Sequence, residues 1–185
     1  MVLITQSGPT TLPLGGSAPD FSLPGTDGTA YSLSSFAAST LLVVSFTCNH
    51  CPYALGVEDR FIRLAKEYQA RGAAFVAISA NDAKNYPADS FENMKQRAEE
   101  KQYPFPYLYD ESQTTAKAYG AVCTPHLFVF DAKRKLIYEG RIDDNWKDES
   151  AVKVHDLRDA LEAALTNQPV PRPQTNPMGC SIKWK

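Results

Sequence analysis

Short apolar runs alternate with amphipathic stretches along the chain, and turn-forming clusters separate them. Leu41-Leu-Val-Val-Ser-Phe46 is β-rich and apolar at both odd and even positions, the pattern of a central strand covered on two faces. Ala73 to Ser79 reads as a second buried strand. Tyr107-Leu-Tyr109, Leu127-Phe-Val-Phe130 and Lys135 to Gly140 read as further strands, the last two around an Asp131-Ala-Lys-Arg turn. Nearer the start, Asp20-Phe-Ser-Leu23 and Thr29 to Leu33 flank the turn Pro24-Gly-Thr-Asp-Gly28 as a hairpin. Helical spacing fills the gaps. Val57, Phe61, Leu64, Ala65 and Tyr68 form one stripe that Gly72 closes. Asp89-Ser-Phe-Glu92 has capping-box spacing and opens a helix to about Lys101, and Ser112 to Tyr119 is a short helix ended by Gly120. Ala151 to Leu165 is amphipathic, with Val154, Leu157, Leu161, Ala164 and Leu165 on one stripe. Strands alternating with helices predict an α/β sheet with helices on both faces. No repeat or linker divides residues 1–185, so a single domain is expected, with 166–185 as a C-terminal tail.

Composition narrows the classes. Of 185 residues, 43% are hydrophobic and 22% charged, enough to bury a core without staples. Nineteen basic against 21 acidic residues give a formal charge of −2, so there is no basic field to hold nucleic acid or an anionic membrane. No apolar run approaches the roughly 18 residues of a membrane span. Met1 to Gly16 has neither a basic n-region nor an apolar h-region, so a cytoplasmic location is expected. Four cysteines, Cys48, Cys51, Cys123 and Cys180, are too few to staple a chain of this length and are expected to do chemistry or bind metal.

Cys48-Asn-His-Cys51 lies between a buried strand and a helix opened by Pro52. A helix N-terminus offers free N–H groups and partial positive charge, both favouring a thiolate. Pro52 suits the first turn, where its missing N–H would have had no intrahelical partner. His50 adds positive charge near the sulfurs when protonated. The expected cycle is attack by Cys48, which lies nearer the exposed tip, then a mixed disulfide resolved by Cys51. His50 and the helix N-terminus are expected to lower the pKa of Cys48 and make the disulfide more oxidising than a Cys-Gly-Pro-Cys site. Two other readings are a metal module, using Cys48, Cys51 and His126 on copper or zinc, and a redox sensor without turnover. Thr124-Pro125 precedes a strand, the place a proline without a ladder donor occupies.

The chain resembles thioredoxin-fold proteins of the redoxin (AhpC/TSA-like) group, and more closely the peroxiredoxin-like members with a Cys-Asn-His-Cys-Pro motif. Gly16-Ser-Ala-Pro-Asp-Phe-Ser-Leu23, Leu42 to Tyr53, Ala80-Asn-Asp82, Phe105 to Asp110, Ala116 to Gly120, Thr124-Pro125, Gly140 to Asp144 and Gly179 to Trp184 carry the resemblance. It implies a thioredoxin-like fold, a central mixed β-sheet flanked by helices, with an N-terminal β-hairpin and an insertion near 81–104. It implies a cis Thr124–Pro125 bond facing the cysteine pair and presenting backbone to a substrate chain. Thr124, Pro125, Asn49 and Pro52 are then expected to bind substrate, beside catalytic Cys48, Cys51 and His50. The partners implied are a disulfide-containing protein or small molecule and an electron-donor reductase. No cofactor is implied, and the chain is expected to be a monomer or homodimer.

Departures limit the transfer. Counting back from Cys51, which takes the peroxidatic place, the peroxiredoxin threonine and proline positions hold Cys48 and Val44. A thiol peroxidase acting through Cys51 is therefore the rival activity. Ser45 falls where thioredoxin has a buried aspartate. Glu58, Asp59 and His155 read as solvated helix positions, and His126 and Cys123 as core, Cys123 with an auxiliary redox role as the alternative. Cys180 is either structural, with Ile182 and Trp184 docking the tail, or a resolving or intermolecular thiol. Tyr103 to Tyr107 reads as core and turn, and Arg141 to Asn145 as a loop ion-pair network.

Overall fold

The computed structural model describes the backbone of Val2–Ile4 and residues 12–185. Residues 5–11, part of the stretch read for an export signal, lie outside the described residues.

The strands are β1 (Val2–Ile4), β2 (Ser22–Pro24), β3 (Ala30–Ser32), β4 (Leu41–Phe46), β5 (Ala73–Ser79), β6 (Tyr107–Tyr109), β7 (Cys123–Thr124), β8 (His126–Phe130), β9 (Leu136–Gly140) and β10 (Met178–Ser181). The helices are α1 (Pro52–Gln69), α2 (Phe91–Glu100), α3 (Thr114–Tyr119) and α4 (Asp156–Leu165). The main sheet runs β6-β5-β4-β8-β9. β4, β5 and β6 are parallel, β8 pairs antiparallel with β4 and β9 antiparallel with β8, so the sheet is mixed. β2 and β3 form the separate hairpin, and β1-β10-β7 form a third, antiparallel sheet.

Period-two alternation along β4 sorts the core into two layers. Leu41 and Val43 face a layer built with Val57, Phe61 and Tyr68 of α1, Met94 of α2 and Leu157 and Leu161 of α4. Leu42, Val44 and Phe46 face the opposite layer, with Phe21 and Leu23 of the hairpin region and Ala116 and Tyr119 of α3. Each large side chain buried this way contributes about 1.5–3 kcal/mol, and β4 lies at the centre of both layers. Helices therefore cover both faces, and among the described residues none is long and apolar enough to cross a membrane.

Two boundaries differ from the pattern. α2 is capped by Ser90, whose side chain accepts the Asn93 N–H, and not by Asp89. The Asp89 carboxylate is turned inward and used elsewhere, so the capping-box reading was displaced by one residue. α4 begins at Asp156. The Asp144 carboxylate takes the N–H groups of Lys153 and Val154, at 2.9 and 3.1 Å, and holds that stretch out of the helix. The segment read as a tail ends in a strand, β10, held by the body of the protein.

Candidate active site

Cys48 follows the end of β4, and Cys51 is the N-cap of α1 with an extended backbone (φ −74°, ψ 122°) and Pro52 at the first helical position. Both cysteines are buried, Cys48 at 4% exposure and Cys51 at 0%. The Thr124–Pro125 bond is cis. Thr124 holds both sulfurs: its hydroxyl lies 3.1 Å from Cys48 Sγ, and its carbonyl accepts the Cys51 thiol at 3.0 Å.

A buried carboxylate organises the loop between the cysteines. Asp89 is fully buried and accepts from the Asn49 N–H at 2.7 Å, His50 Nδ1 at 2.6 Å and Asn81 Nδ2 at 2.8 Å. The His50 ring stacks on Tyr86 with centroids 5.5 Å apart. Asn49 donates to the Ala88 carbonyl and accepts from the Tyr107 hydroxyl. Both polar ends of Asn49 thus brace the loop, where substrate contact was expected. Asp89 was absent from the sequence-predicted site. It sits 41 positions after Cys48 in the segment read as an insertion, and its capping-box context masked it.

The two sulfurs share their protons unequally. Cys51 is lowered to about 4, chiefly because the Cys48 thiol donates to it, and further because Cys180 and the Ala54 N–H of the first helical turn face its sulfur. Cys48 is pushed well above the usual thiol range by that same bond, by burial and by the Asp89 carboxylate. This reverses the expectation that Cys48 is the lowered thiol. The positive charge His50 carries when protonated is answered by Asp89 and is not free to favour a Cys48 anion. The 3.0 Å approach of Cys51 to the Thr124 carbonyl favours a protonated Cys51. A neutral S–H is a weak donor, however, and the donors converging on the Cys51 anion outweigh that bond.

The remaining candidates separate cleanly. The His126 ring lies 3.1 Å from Glu139 through Nε2, accepts the Val122 N–H through Nδ1 and packs on Phe128. Both nitrogens are engaged, so the metal set of Cys48, Cys51 and His126 is not assembled. Among the described residues, the ligand atoms lying within 4.8 Å of one another are those of Cys48, His50 and Asp89, already cross-bonded at His50–Asp89. Cys123 is buried, its thiol donates to the Pro125 carbonyl at 3.7 Å, and burial pushes it up to about 12. Glu58 is largely buried between Arg97, Lys101 and Tyr103, where a solvated position was expected. Asp59 and His155 are exposed. Arg60 ties Asp143 and the Asn145 and Trp146 carbonyls to α1, so Arg141 to Asn145 take part in an ion-pair loop as expected.

The backbone of β7, expected to receive a substrate chain, is paired with the protein's own β10, with Cys180 opposite Thr124 and Ser181 opposite Cys123.

A mixed sheet, a dithiol at a helix N-terminus and a cis-proline loop across from it define a redoxin of thioredoxin fold. The chain belongs to the AhpC/TSA family, whose model matches residues 14–139. It is similar to an uncharacterized conserved protein from Geobacillus kaustophilus, 47% identical, covering 94% of this chain and 93% of that one with a TM-score of 0.89. A hypothetical protein, SMc02350 from Sinorhizobium meliloti 1021, is 39% identical over 94% and 96% of the two chains, with a TM-score of 0.89. The thioredoxin domain of thiol-disulfide oxidoreductase BVU-2223 from Bacteroides vulgatus shares the fold at 19% identity, covering 69% and 88% with a TM-score of 0.58. No curated protein matches significantly.

Proposed function

We propose that the protein is a thiol–disulfide oxidoreductase that cycles Cys48 and Cys51 between dithiol and disulfide. The observation that carries this is the pair itself: two buried thiols held by one residue, Thr124, whose hydroxyl lies 3.1 Å from Cys48 Sγ and whose carbonyl accepts the Cys51 thiol at 3.0 Å. Such a pair has its reaction partner preplaced. The Cys51 anion starts the exchange and Cys48 closes the disulfide, the reverse of the order expected from the sequence. His50, oriented through Nδ1 by Asp89, stands by as the proton carrier for the departing thiolate. Substrates are disulfides of small molecules or proteins, and a reductase regenerates the dithiol. A reducing compartment such as the cytoplasm suits that cycle.

Stabilising the Cys51 anion favours the reduced form. A more oxidising potential than the roughly −270 mV of thioredoxin is therefore expected.

A second reading, peroxide reduction at Cys51, is favoured by the placement of the anion on that sulfur and opposed by Val44 and Cys48 at the peroxide-activating positions. Challenging the fully reduced protein separately with a small disulfide and with hydrogen peroxide distinguishes the two, with peptide mapping of the products. Fast loss of two thiols to the disulfide, ending in Cys48–Cys51, is the expected result. Peroxide consumption faster than disulfide exchange overturns it in favour of the peroxidase.

A further inference from the structure

β10 brings another cysteine into the site. Cys180 packs against the cluster of Cys48, Cys51 and Ala54 and stands in register opposite Thr124, the residue that holds both sulfurs of the pair. The strand is fixed from both sides. β1 pairs with its outer edge, Val2 opposite Cys180. Beyond it, the Ile182 N–H donates to the Val122 carbonyl at 3.2 Å, and the Lys183 N–H to Asn81 Oδ1 at 2.8 Å. Gln113 Nε2 donates to the Lys183 carbonyl at 2.9 Å. Gly179 makes the close approach possible, because a Cβ there would lie 2.2 Å from the Thr124 carbonyl oxygen. The three sulfurs differ in access: Cys48 and Cys51 are 4% and 0% exposed, whereas Cys180 is only half-buried.

We propose that Cys180 is a third redox thiol, which exchanges with Cys51 and carries the disulfide from the buried pair to the molecular surface. This rests on the Cys48–Cys51 cycle above. In the exchange Cys180 loses its proton and attacks Cys51 Sγ. The Cys48–Cys51 bond breaks, a Cys51–Cys180 bond forms, and Cys48 leaves as a thiolate that takes up the proton. The disulfide is moved and nothing is oxidised or reduced overall. An external thiolate then attacks the accessible Cys180 sulfur and expels Cys51. Cys51 is the sulfur whose anion the site accommodates best, and a leaving thiol of low pKa departs faster. Cys123, which donates to the Pro125 carbonyl, stays outside this relay.

The test is oxidation of C48S with glutathione disulfide, followed by peptide mapping without reduction. An intramolecular Cys51–Cys180 disulfide is expected. Two free thiols, a lasting glutathione adduct on Cys51 or a Cys51–Cys123 pairing overturns the proposal. The second arm needs no change to the pair: oxidised C180S is reduced by an external thiol and compared with the wild type. About tenfold slower reduction is expected, and an unchanged rate overturns the proposal even where C48S does not fold. Mapping of the oxidised wild type separates the two levels. If Cys48–Cys51 does not form there, the cycle itself fails; if it forms while C180S reduces at the wild-type rate, only the relay fails.

Discussion

Replacing Cys48 with alanine removes the thiol that donates to Cys51 and leaves the Ala54 N–H and Cys180 in place. A hydrogen bond to a charged group contributes about 1.5–3 kcal/mol, and a thiol belongs at the weak end of that range. Losing it destabilises the anion and raises the Cys51 midpoint from about 4 by about one pH unit. C48S keeps a donor, and its midpoint is expected to stay within about half a unit of the wild type. The ultraviolet thiolate absorbance of the reduced proteins gives the midpoint, and pH-dependent alkylation with peptide mapping assigns it to a residue. C51S is the decisive control. It leaves Cys48 beside the Asp89 carboxylate in a buried site, so no thiolate should persist at acidic pH. A low midpoint that survives in C51S would place the anion on Cys48. It would show that the Thr124 hydroxyl and carbonyl, and not the donors around Cys51, set the charge.

Asp89→Asn removes the negative charge that raises Cys48 and loosens three hydrogen bonds to a buried carboxylate. Cys48 alkylation is expected to shift to lower pH, with a stability loss of about 2–3 kcal/mol in urea unfolding; unchanged alkylation would remove Asp89 from the site's electrostatics. Because Cys51 is lowered in the fold, its contribution to stability is fully present above the ordinary thiol pKa near 8.5 and is lost as pH falls toward about 4. The stability difference between reduced wild type and C51S should therefore grow from pH 5 to pH 8, by at most about 1.4 kcal/mol per unit; parallel curves would contradict a lowered Cys51. Gly179→Val places a side chain against the Thr124 carbonyl and should lift β10, seen as faster hydrogen exchange over 178–185 and about tenfold faster alkylation of Cys180. Wild-type exchange in that variant would mean the strand tolerates the contact.

Much of the fold was legible because its signals are local. The all-buried pattern of Leu41 to Phe46 and the stripe from Val57 to Tyr68 each state their own period, and both elements lie where the pattern places them. The cysteine pair was legible for the same reason: strand, CxxC, proline and helix follow one another directly. What escaped is long-range. Asp89 reaches Asn49 and His50 from about forty residues away, and its own neighbours resemble an ordinary helix cap. The direction of charge within the pair escaped too, because it depends on donors from separate segments converging on one sulfur. Cys180 lay in a segment with no periodicity. Its strand is defined by pairing with β1 and β7, which no local pattern in 166–185 announces.

β10 also changes how the site meets other molecules. An unpaired strand edge is a place where an incoming peptide adds by backbone hydrogen bonds. Here the β7 edge beside the dithiol is filled from within the chain, and the opposite edge of β10 is filled by β1. A protein substrate therefore gains no ladder at this position unless β10 is displaced. What remains open around the pair is the side bearing exposed Pro52, partly exposed His50 and Tyr86 at 39%. The stacked His50 and Tyr86 rings offer flat surface there, together with a histidine already oriented by Asp89. Of the three cysteines around this site, Cys180 is the most exposed. The strand that closes the edge is thus also the one that supplies the accessible sulfur.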